Sequence, residues 1–314
     1  MSKYRNNLPQ LQGRKFLADG GMGTTLIFHE GLDLPHFCAF PLLVQDRGRE
    51  ILSRYFRPYL EIARKNDMGF VLDSGPTWRA SADWGFKLGY SSTQLEQINQ
   101  SAIDLMLELR QEFETENAPI VISGCMGPRG DGYEPGTLMQ PDQARSYHRK
   151  QIETFANSAA DLVTAMTLTY SEEAVGMTLA AMELEMPIVI SFTVETDGCL
   201  PTGQTLRDAI EFVDNETSAA PAYYMINCAH PTHFENVLTQ GSDWASRIQG
   251  IRLNASSLSH AELDEAKELD DGDPHELASL VEKIQRACPQ INIVGGCCGT
   301  DHRHIEAMAK LDER

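Results

Sequence analysis

Residues 161–194, DLVTAMTLTYSEEAVGMTLAAMELEMPIVISFTV, contain two short apolar runs separated by a longer helix-forming segment. The runs at 161–166 and 187–194 are apolar on both faces, which is typical of parallel strands that are covered by helices. Residues 171–185 between them predict the crossover helix that parallel strands require. This stretch therefore predicts one strand–helix–strand unit of a parallel sheet.

The same alternation extends along the whole chain of 314 residues. Eight strands are predicted, at 15–18, 69–73, 120–124, 161–166, 187–194, 222–227, 250–253 and 291–295. Eight helices are predicted near 49–65, 92–116, 141–160, 171–185, 204–215, 232–239, 274–288 and 301–311. Eight such units predict an α/β fold, a single (β/α)8 TIM barrel, with residues 1–314 forming one domain. The competing architecture is an open doubly wound sheet, which usually has fewer strands.

Two local motifs refine this prediction. Thr93, followed three residues later by Glu96, has the form of a capping box at the start of the helix at 92–116. The glycine-rich run at 19–25, DGGMGTT, follows the first strand and could be a nucleotide loop or a tight turn. Its glycines do not fit G-x-G-x-x-G in register, and no Lys-Ser/Thr pair follows, so a nucleotide loop is rejected.

Composition and charge limit the classes of partner. The 26 Lys and Arg residues against 45 Asp and Glu residues give a net charge of −19, which would repel nucleic acid and an anionic membrane surface. The polar start and the lack of a long apolar stretch predict a cytoplasmic protein without a membrane span. Seven cysteines, an odd number, predict reduced thiols rather than a disulfide framework. The acidic run at 262–273 is interpreted as a solvated surface insertion.

Three cysteines are predicted to meet at one rim of the barrel, because Cys228 follows the sixth strand and Cys297 and Cys298 follow the eighth. Three converging thiolates form a soft metal site, for which zinc is the commonest occupant. The alternative is that these residues are small buried apolar side chains. Three protein ligands would leave one position of a tetrahedral Zn²⁺ open for chemistry, whereas His230 as a fourth ligand would close the site.

With these residues in view, the sequence resembles the zinc-dependent homocysteine S-methyltransferase family over nearly its whole length. The motifs that carry the resemblance are residues 19–24 (DGGMGT), 124–130, Asn227-Cys228, and 295–300 (GGCCGT). The resemblance implies that Cys228, Cys297 and Cys298 hold Zn²⁺ and are the catalytic residues. It further implies that the acceptor thiol, homocysteine, binds as a thiolate and becomes methionine. Zinc removes the thiol proton and leaves the sulfur nucleophilic.

The methyl donor is expected to be a sulfonium or another onium, of S-methylmethionine or S-adenosylmethionine type, because attack of an anionic sulfur on a cation cancels charge. The chain has no room for further cofactor-binding domains, so methyl transfer is expected to be direct. The side chains of Trp78, Trp84 and Tyr133 are candidates to face the donor cation.

Substrate contacts are assigned by the resemblance to Asp19, Gly21, Met22 and Asn227. The chain departs from the family at Met166, where a glutamate would bind the ammonium group of the acceptor, and also at the turn 74–78. Glu195 is a candidate to supply the missing charge. Because one buried charge-assisted hydrogen bond contributes roughly 1.5 to 3 kcal/mol, its loss raises the alternative of a different thiol acceptor.

Two further functional alternatives remain at this point. One is a non-catalytic zinc-binding barrel whose metal site is closed by His230. The other is a zinc hydrolase, which three thiolates disfavour because they reduce the Lewis acidity of the metal. The expected partners are a small-molecule thiol and a methyl donor, and a homo-oligomer is the default expectation.

Overall fold

Eight parallel strands form a closed barrel in the order β1 to β8, each strand pairing with its neighbours along the chain and β8 pairing with β1. The architecture comes from a computed structural model, which describes residues 2–239, 243–266 and 268–313. The strands are β1 Phe16–Leu17, β2 Gly69–Asp73, β3 Ile120–Met126, β4 Leu162–Leu168, β5 Ile188–Phe192, β6 Tyr223–Ala229, β7 Ile248–Leu253 and β8 Ile293–Gly296. The predicted (β/α)8 barrel is confirmed, and the predicted strand ends differ from the observed ones by at most two residues.

A long helix follows each strand and covers the outside of the barrel. These helices are Asp46–Lys65, Ser92–Phe113, Pro141–Ala156, Ser171–Glu183, Leu206–Thr217, Pro231–Thr239, Pro274–Ala287 and His302–Ala309. Short helices at Met22–Thr24, Ala82–Lys87 and His260–Glu265 lie in the loops that follow β1, β2 and β7. Among the described residues, no helix has the length and apolar character that crossing a membrane would need.

The capping box of the helix Ser92–Phe113 differs from the prediction by two residues. Ser91 is the N-cap: its side chain accepts a hydrogen bond from the Gln94 backbone N–H, and the Gln94 side chain accepts one from the Ser91 N–H. The Thr93–Glu96 pairing is wrong because the helix already begins at Ser92, which places Thr93 inside its first turn.

The core has two parts, which follow from the alternation of side chains along each strand. A large cluster packs one set of strand side chains against the surrounding helices. A smaller cluster combines Leu8 with side chains from most of the strands, namely Phe16, Val71, Val121, Leu162, Val189, Tyr223, Met225 and Ile293. Apolar side chains from the strands thus form the core, and polar groups gather where the strands end.

Candidate active site

A cavity of about 130 Å³ lies at the carboxyl ends of the strands, where barrel proteins assemble their functional sites. It is lined by the residues Asp19, Gly20, Gly21, Met22, Gly23, Thr24, Phe37, Asp73, Gly75, Trp78, Cys125, Tyr133, Met166, Thr167, Asn227, Cys228, Arg252, Gly296, Cys297 and Cys298. The residues predicted as metal ligands and substrate contacts all line this inner cavity except Glu195.

The three predicted cysteines converge at one wall of the inner cavity. Their sulfur atoms lie within 4.8 Å of one another, and those of Cys228 and Cys298 are 3.7 Å apart. In the described part of the chain this is the one group of three or more His, Cys, Asp or Glu side chains close enough to share a metal ion. The cluster can therefore hold a metal through three sulfur ligands.

Cys228 and Cys297 are joined in a disulfide, so the expectation that every thiol is reduced is wrong for this pair. The physical reason is proximity: the barrel brings together two sulfur atoms that are 69 positions apart in the chain. A sulfur in a disulfide has no thiolate charge to offer a metal. Metal binding by all three cysteines therefore requires reduction of this bond.

The backbone at Cys228 is left-handed, with φ of 56°. This conformation is uncommon for a residue with a side chain and needs support from its surroundings. Asn254 and His260 provide this support. Asn254 Nδ2 donates a hydrogen bond to the Cys228 carbonyl oxygen at 3.1 Å, and His260 Nε2 lies 2.7 Å from the same oxygen. These contacts fix the direction in which the Cys228 sulfur points.

Tyr133 covers the cluster from the loop that follows β3. Its hydroxyl donates to Cys228 Sγ at 3.2 Å and lies 3.6 Å from Cys298 Sγ. Its ring stacks on the His260 imidazole with 4.1 Å between the ring centroids. His260 Nδ1 in turn lies 3.1 Å from Glu195 Oε1. Within the described part of the chain, Glu195 contacts the site through His260 and is outside the lining of the inner cavity.

A buried charged group lies at the ends of β1, β2 and β7. Arg252 binds Asp19 Oδ1 at 2.5 Å through Nη2 and Asp73 Oδ2 at 2.7 Å through Nη1. Its Nε donates to the Gly296 carbonyl at 3.1 Å, next to Cys297. Tyr55 Oη lies 2.9 Å from Asp19 Oδ2. Asp19, which was predicted to contact the substrate, is therefore already engaged by two side chains.

Met166 lies in the inner cavity, with 5% of its surface exposed. The next residue, Thr167, has a left-handed φ of 62°. Asn227 holds it there, because Asn227 Oδ1 accepts from the Thr167 N–H and Asn227 Nδ2 donates to Thr167 Oγ1, each at 2.8 Å. Ser191 Oγ also donates to Asn227 Oδ1 at 2.6 Å. Asn227 therefore shapes the wall of the cavity beside Met166.

The turn at 19–25 packs directly against the cysteine loop. A Cβ atom at Gly21 would clash with the Cys297 carbonyl oxygen, so a side chain at position 21 is excluded. The Gly21 N–H donates to the Thr300 carbonyl at 2.9 Å, and Gly299 N–H donates to Thr24 Oγ1 at 3.2 Å. The first and last loops of the barrel are thereby locked together around the cysteines.

A larger, outer cavity of about 420 Å³ adjoins the inner one and shares Thr24, Phe37, Trp78, Tyr133 and Cys298 with it. Its remaining wall includes Asp131 and, from the acidic run, Leu263, Ala266, Glu268, Leu269 and Asp270. Most of the described residues in the run at 262–273 are exposed, as expected for a solvated surface insertion, and its residues Leu263, Ala266 and Leu269 also line this cavity.

The aromatic residues predicted to face the donor, and the histidine considered as a fourth metal ligand, differ in whether they lie at the site. Trp78 and Tyr133 line both cavities, whereas Trp84 lines neither and instead packs under Arg79 and Lys87. His230 is outside the group of metal-ligating atoms, and its Nδ1 lies 2.8 Å from Thr232 Oγ1. Burial lowers the pKa of His230 to about 4.

Sequence reasoning missed Arg252, Asp73 and His260 as site residues. The sequence does indicate a role for Arg252, because a lone arginine in the otherwise apolar run GIRL must be paired with an opposite charge if it is buried. Asp73 gives a similar indication, because it is a charged residue at the end of a buried strand. His260 carries no such signal, since its place beside Tyr133 depends on the packing of two loops.

Comparison with known proteins gives a consistent family. The family model described as Homocysteine S-methyltransferase matches residues 16–311. Homocysteine S-methyltransferase 2 of Arabidopsis thaliana is 22% identical, over 93% of this chain and 91% of the relative. Selenocysteine Se-methyltransferase of Brassica oleracea var. italica is 23% identical, over 94% of this chain and 88% of the relative.

Solved structures support the fold. The homocysteine methyltransferase MmuM from Escherichia coli matches in its oxidized form with a TM-score of 0.76 and 18% identity, over 98% of this chain and 99% of that one. Its metallated form matches with a TM-score of 0.75 and 16% identity, over 96% and 98%. The same fold therefore extends along almost the full length of both chains.

Proposed function

Because the chain belongs to the homocysteine S-methyltransferase family and is thus a thiol S-methyltransferase, we propose that it methylates homocysteine to methionine at a Zn²⁺ held by Cys228, Cys297 and Cys298. The proposed methyl donor is a sulfonium or another onium, of S-methylmethionine or S-adenosylmethionine type. The observation that carries this proposal is the convergence of three cysteine sulfurs on one wall of the inner cavity.

The spacing of the sulfurs supports a tetrahedral metal. Zn–S bonds of about 2.3 Å at tetrahedral angles separate two sulfur ligands by about 3.8 Å. The sulfurs of Cys228 and Cys298 are 3.7 Å apart, and that of Cys297 belongs to the same cluster once its disulfide is reduced. When bound, Zn²⁺ supplies a position at which a thiol loses its proton at neutral pH but stays nucleophilic.

The chain's own residues orient this site. The Tyr133 hydroxyl donates to the Cys228 sulfur and so stabilises negative charge on it. Asn254 and His260 hold the Cys228 carbonyl and keep its side chain directed into the cavity. The open side of the cluster faces the inner cavity, where an acceptor of homocysteine size can bring its sulfur to the cysteines.

The outer cavity is the proposed donor site. It shares Trp78, Tyr133 and Cys298 with the inner cavity, so a donor bound there would lie next to the acceptor. Aromatic faces and carboxylates both favour a cation. Asp131, Glu268 and Asp270 supply the carboxylates, while the single Arg79 of this cavity is paired with Asp131 at 2.8 Å.

A different thiol acceptor is the second candidate, and Met166 is the observation that favours it. The methionine side chain lies in the inner cavity and offers no charge to an acceptor ammonium group. This alternative keeps the same chemistry. The closed-site and hydrolase alternatives are less favoured, since the described ligand cluster consists of three sulfurs without a histidine.

The test is methyl transfer by the reduced, zinc-loaded protein. Homocysteine and S-methylmethionine, or S-adenosylmethionine, should give methionine, detected by mass spectrometry with an isotopically labelled methyl group. Cys298→Ala should lose both bound zinc and activity. Cys125→Ala is the matched control, because Cys125 lines the same cavity but lies outside the sulfur cluster, and it should keep its zinc. A Cys298→Ala protein that methylates homocysteine normally would disprove the proposal.

A further inference from the structure

The charged side chains that line the described inner cavity are Asp19, Asp73 and Arg252, apart from the cysteines of the cluster. Two carboxylates against one guanidinium leave this buried group with one uncompensated negative charge when both carboxyls are ionised. Buried charges need partners, because the interior solvates them poorly. The inner cavity is therefore suited to a ligand that brings a positive charge.

Arg252 has little left to offer such a ligand. Each of its three nitrogens donates a hydrogen bond within the protein, to Asp19, Asp73 and the Gly296 carbonyl. An acceptor carboxylate would have to displace one of these contacts. The guanidinium therefore fixes the two carboxylates in place rather than binding an anion.

The two carboxylates differ in how fully they are used. Asp19 has Arg252 at one oxygen and Tyr55 at the other. Asp73 has Arg252 at Oδ2, but its buried Oδ1 has no partner at hydrogen-bonding geometry among the described residues. Burial raises the pKa of Asp73, and Arg252, together with the side chains of Ser123 and Thr164, offsets this only in part. An additional cation at Oδ1 would satisfy that oxygen and stabilise the carboxylate.

We propose that Asp73 binds the ammonium group of an aminothiol acceptor, and so takes the place of the charge that Met166 lacks. This inference rests on the proposed function, because it concerns the acceptor whose sulfur binds at the cysteine cluster. It makes Asp73 a specificity-determining residue and predicts that the acceptor carries an amino group near its thiol. Homocysteine meets this requirement.

The first experiment uses the unmodified chain, reduced and zinc-loaded. Calorimetry compares the binding of homocysteine with that of 4-mercaptobutanoate, which is the same molecule without its amino group. Homocysteine should bind about 10- to 100-fold more tightly, as expected for one charge-assisted hydrogen bond in a buried site. Equal dissociation constants for two thiols that both bind would overturn the role of Asp73 but leave the proposed function standing. Binding of neither thiol would overturn both.

The second experiment uses Asp73→Asn, which removes the charge with little change in shape. Its dissociation constant for homocysteine should rise about 10- to 100-fold, while that for 4-mercaptobutanoate stays the same. Asp142→Asn is the control for net charge, because Asp142 lies exposed on the surface with 84% of its side chain accessible. Zinc content and the thermal midpoint establish that both variants are folded. An Asp73→Asn protein that still prefers homocysteine would contradict the inference.

Discussion

The Tyr133 hydroxyl donates a hydrogen bond to Cys228 Sγ across 3.2 Å, although the two residues are 95 positions apart in the chain. The stacking of the Tyr133 ring on His260 fixes the position of this hydroxyl, and His260 also contacts the Cys228 carbonyl. Two loops that pack on each other thus support the sulfur and the backbone of the same cysteine. This arrangement is typical of side chains that tune a metal ligand without binding the metal.

Tyr133→Phe should therefore weaken metal binding without unfolding the protein. The ring and its stacking on His260 remain, but the sulfur loses its donor, and the loss of such a partner commonly lowers metal affinity about 10- to 100-fold. Competition with a chelator of known zinc affinity measures the change. Tyr147→Phe is the control, because the Tyr147 hydroxyl contacts Ser81, away from the cysteines. Equal zinc affinity in the two variants would show that the hydroxyl has no effect on the metal.

Metal uptake should depend on the redox state of the cluster. Cys228 and Cys297 cannot be joined in a disulfide and bind a metal as thiolates at the same time. Protein prepared without reductant should yield a crosslinked peptide pair containing Cys228 and Cys297, and it should take up little zinc. After reduction, uptake should rise to one zinc per chain. Full zinc uptake by a protein that retains the crosslink would contradict this expectation.

The sequence predicts the barrel well because its strands are buried on both faces. Each strand appears as an apolar run of a few residues, such as IVIS at 120–123 and 188–191, and the helices between them follow a separate period. The topology then places the ends of β6 and β8 at one rim, which is why the cysteine cluster could be predicted. The order of the strands alone is enough to bring these cysteines together.

The contacts around the cluster could not be predicted in the same way. Tyr133 lies in an irregular loop, and its place depends on His260 in another loop 127 positions later. The same holds for Glu195, whose position after β5 suggested a substrate contact but whose carboxylate pairs with His260. Loop side chains depend on neighbours that no local pattern encodes. The pairing of Asp19 could not be predicted for the same reason, since Arg252 reaches it from the distant strand β7.

Arg252→Met should be strongly destabilising. It would leave the buried carboxylates of Asp19 and Asp73 without their cation, and removing one partner of a buried ion pair typically costs about 3 to 5 kcal/mol. Urea denaturation measures the change in the free energy of unfolding. Adding Asp73→Asn should restore part of the loss, because one unpaired charge disappears.

Arg57→Met is the matched control for this substitution. Arg57 pairs with Glu112 on the surface, where both side chains are more than a third exposed, so its loss should cost no more than about 1 kcal/mol. A loss for Arg252→Met as small as that for Arg57→Met would show that the buried group contributes little to stability.

Asp301 should make stability depend on pH through the helix that follows the cysteine loop. It caps the helix His302–Ala309 and accepts hydrogen bonds from the Arg303 backbone and side chain. Burial alone would raise the pKa of Asp301, but its hydrogen bonds to His304 and Arg303 outweigh burial and hold the pKa well below its ordinary value. A carboxyl with a depressed folded-state pKa stabilises the protein above its unfolded-state pKa. That stabilisation is lost as pH falls through the folded-state pKa.

Asp301→Asn should therefore lower the free energy of unfolding by about 1 kcal/mol at pH 7, since asparagine can still cap the helix but lacks the charge. The difference from the unmodified chain should shrink as the pH falls from 5 towards 3, because the unfolded carboxyl becomes protonated first. Urea denaturation across this range measures it. Asp104→Asn, an exposed substitution in the middle of the helix Ser92–Phe113, should show neither effect. A difference that stays constant between pH 7 and pH 3 would mean that the charge of Asp301 does not support the helix, and that the loop carrying Cys297 and Cys298 is held by other contacts.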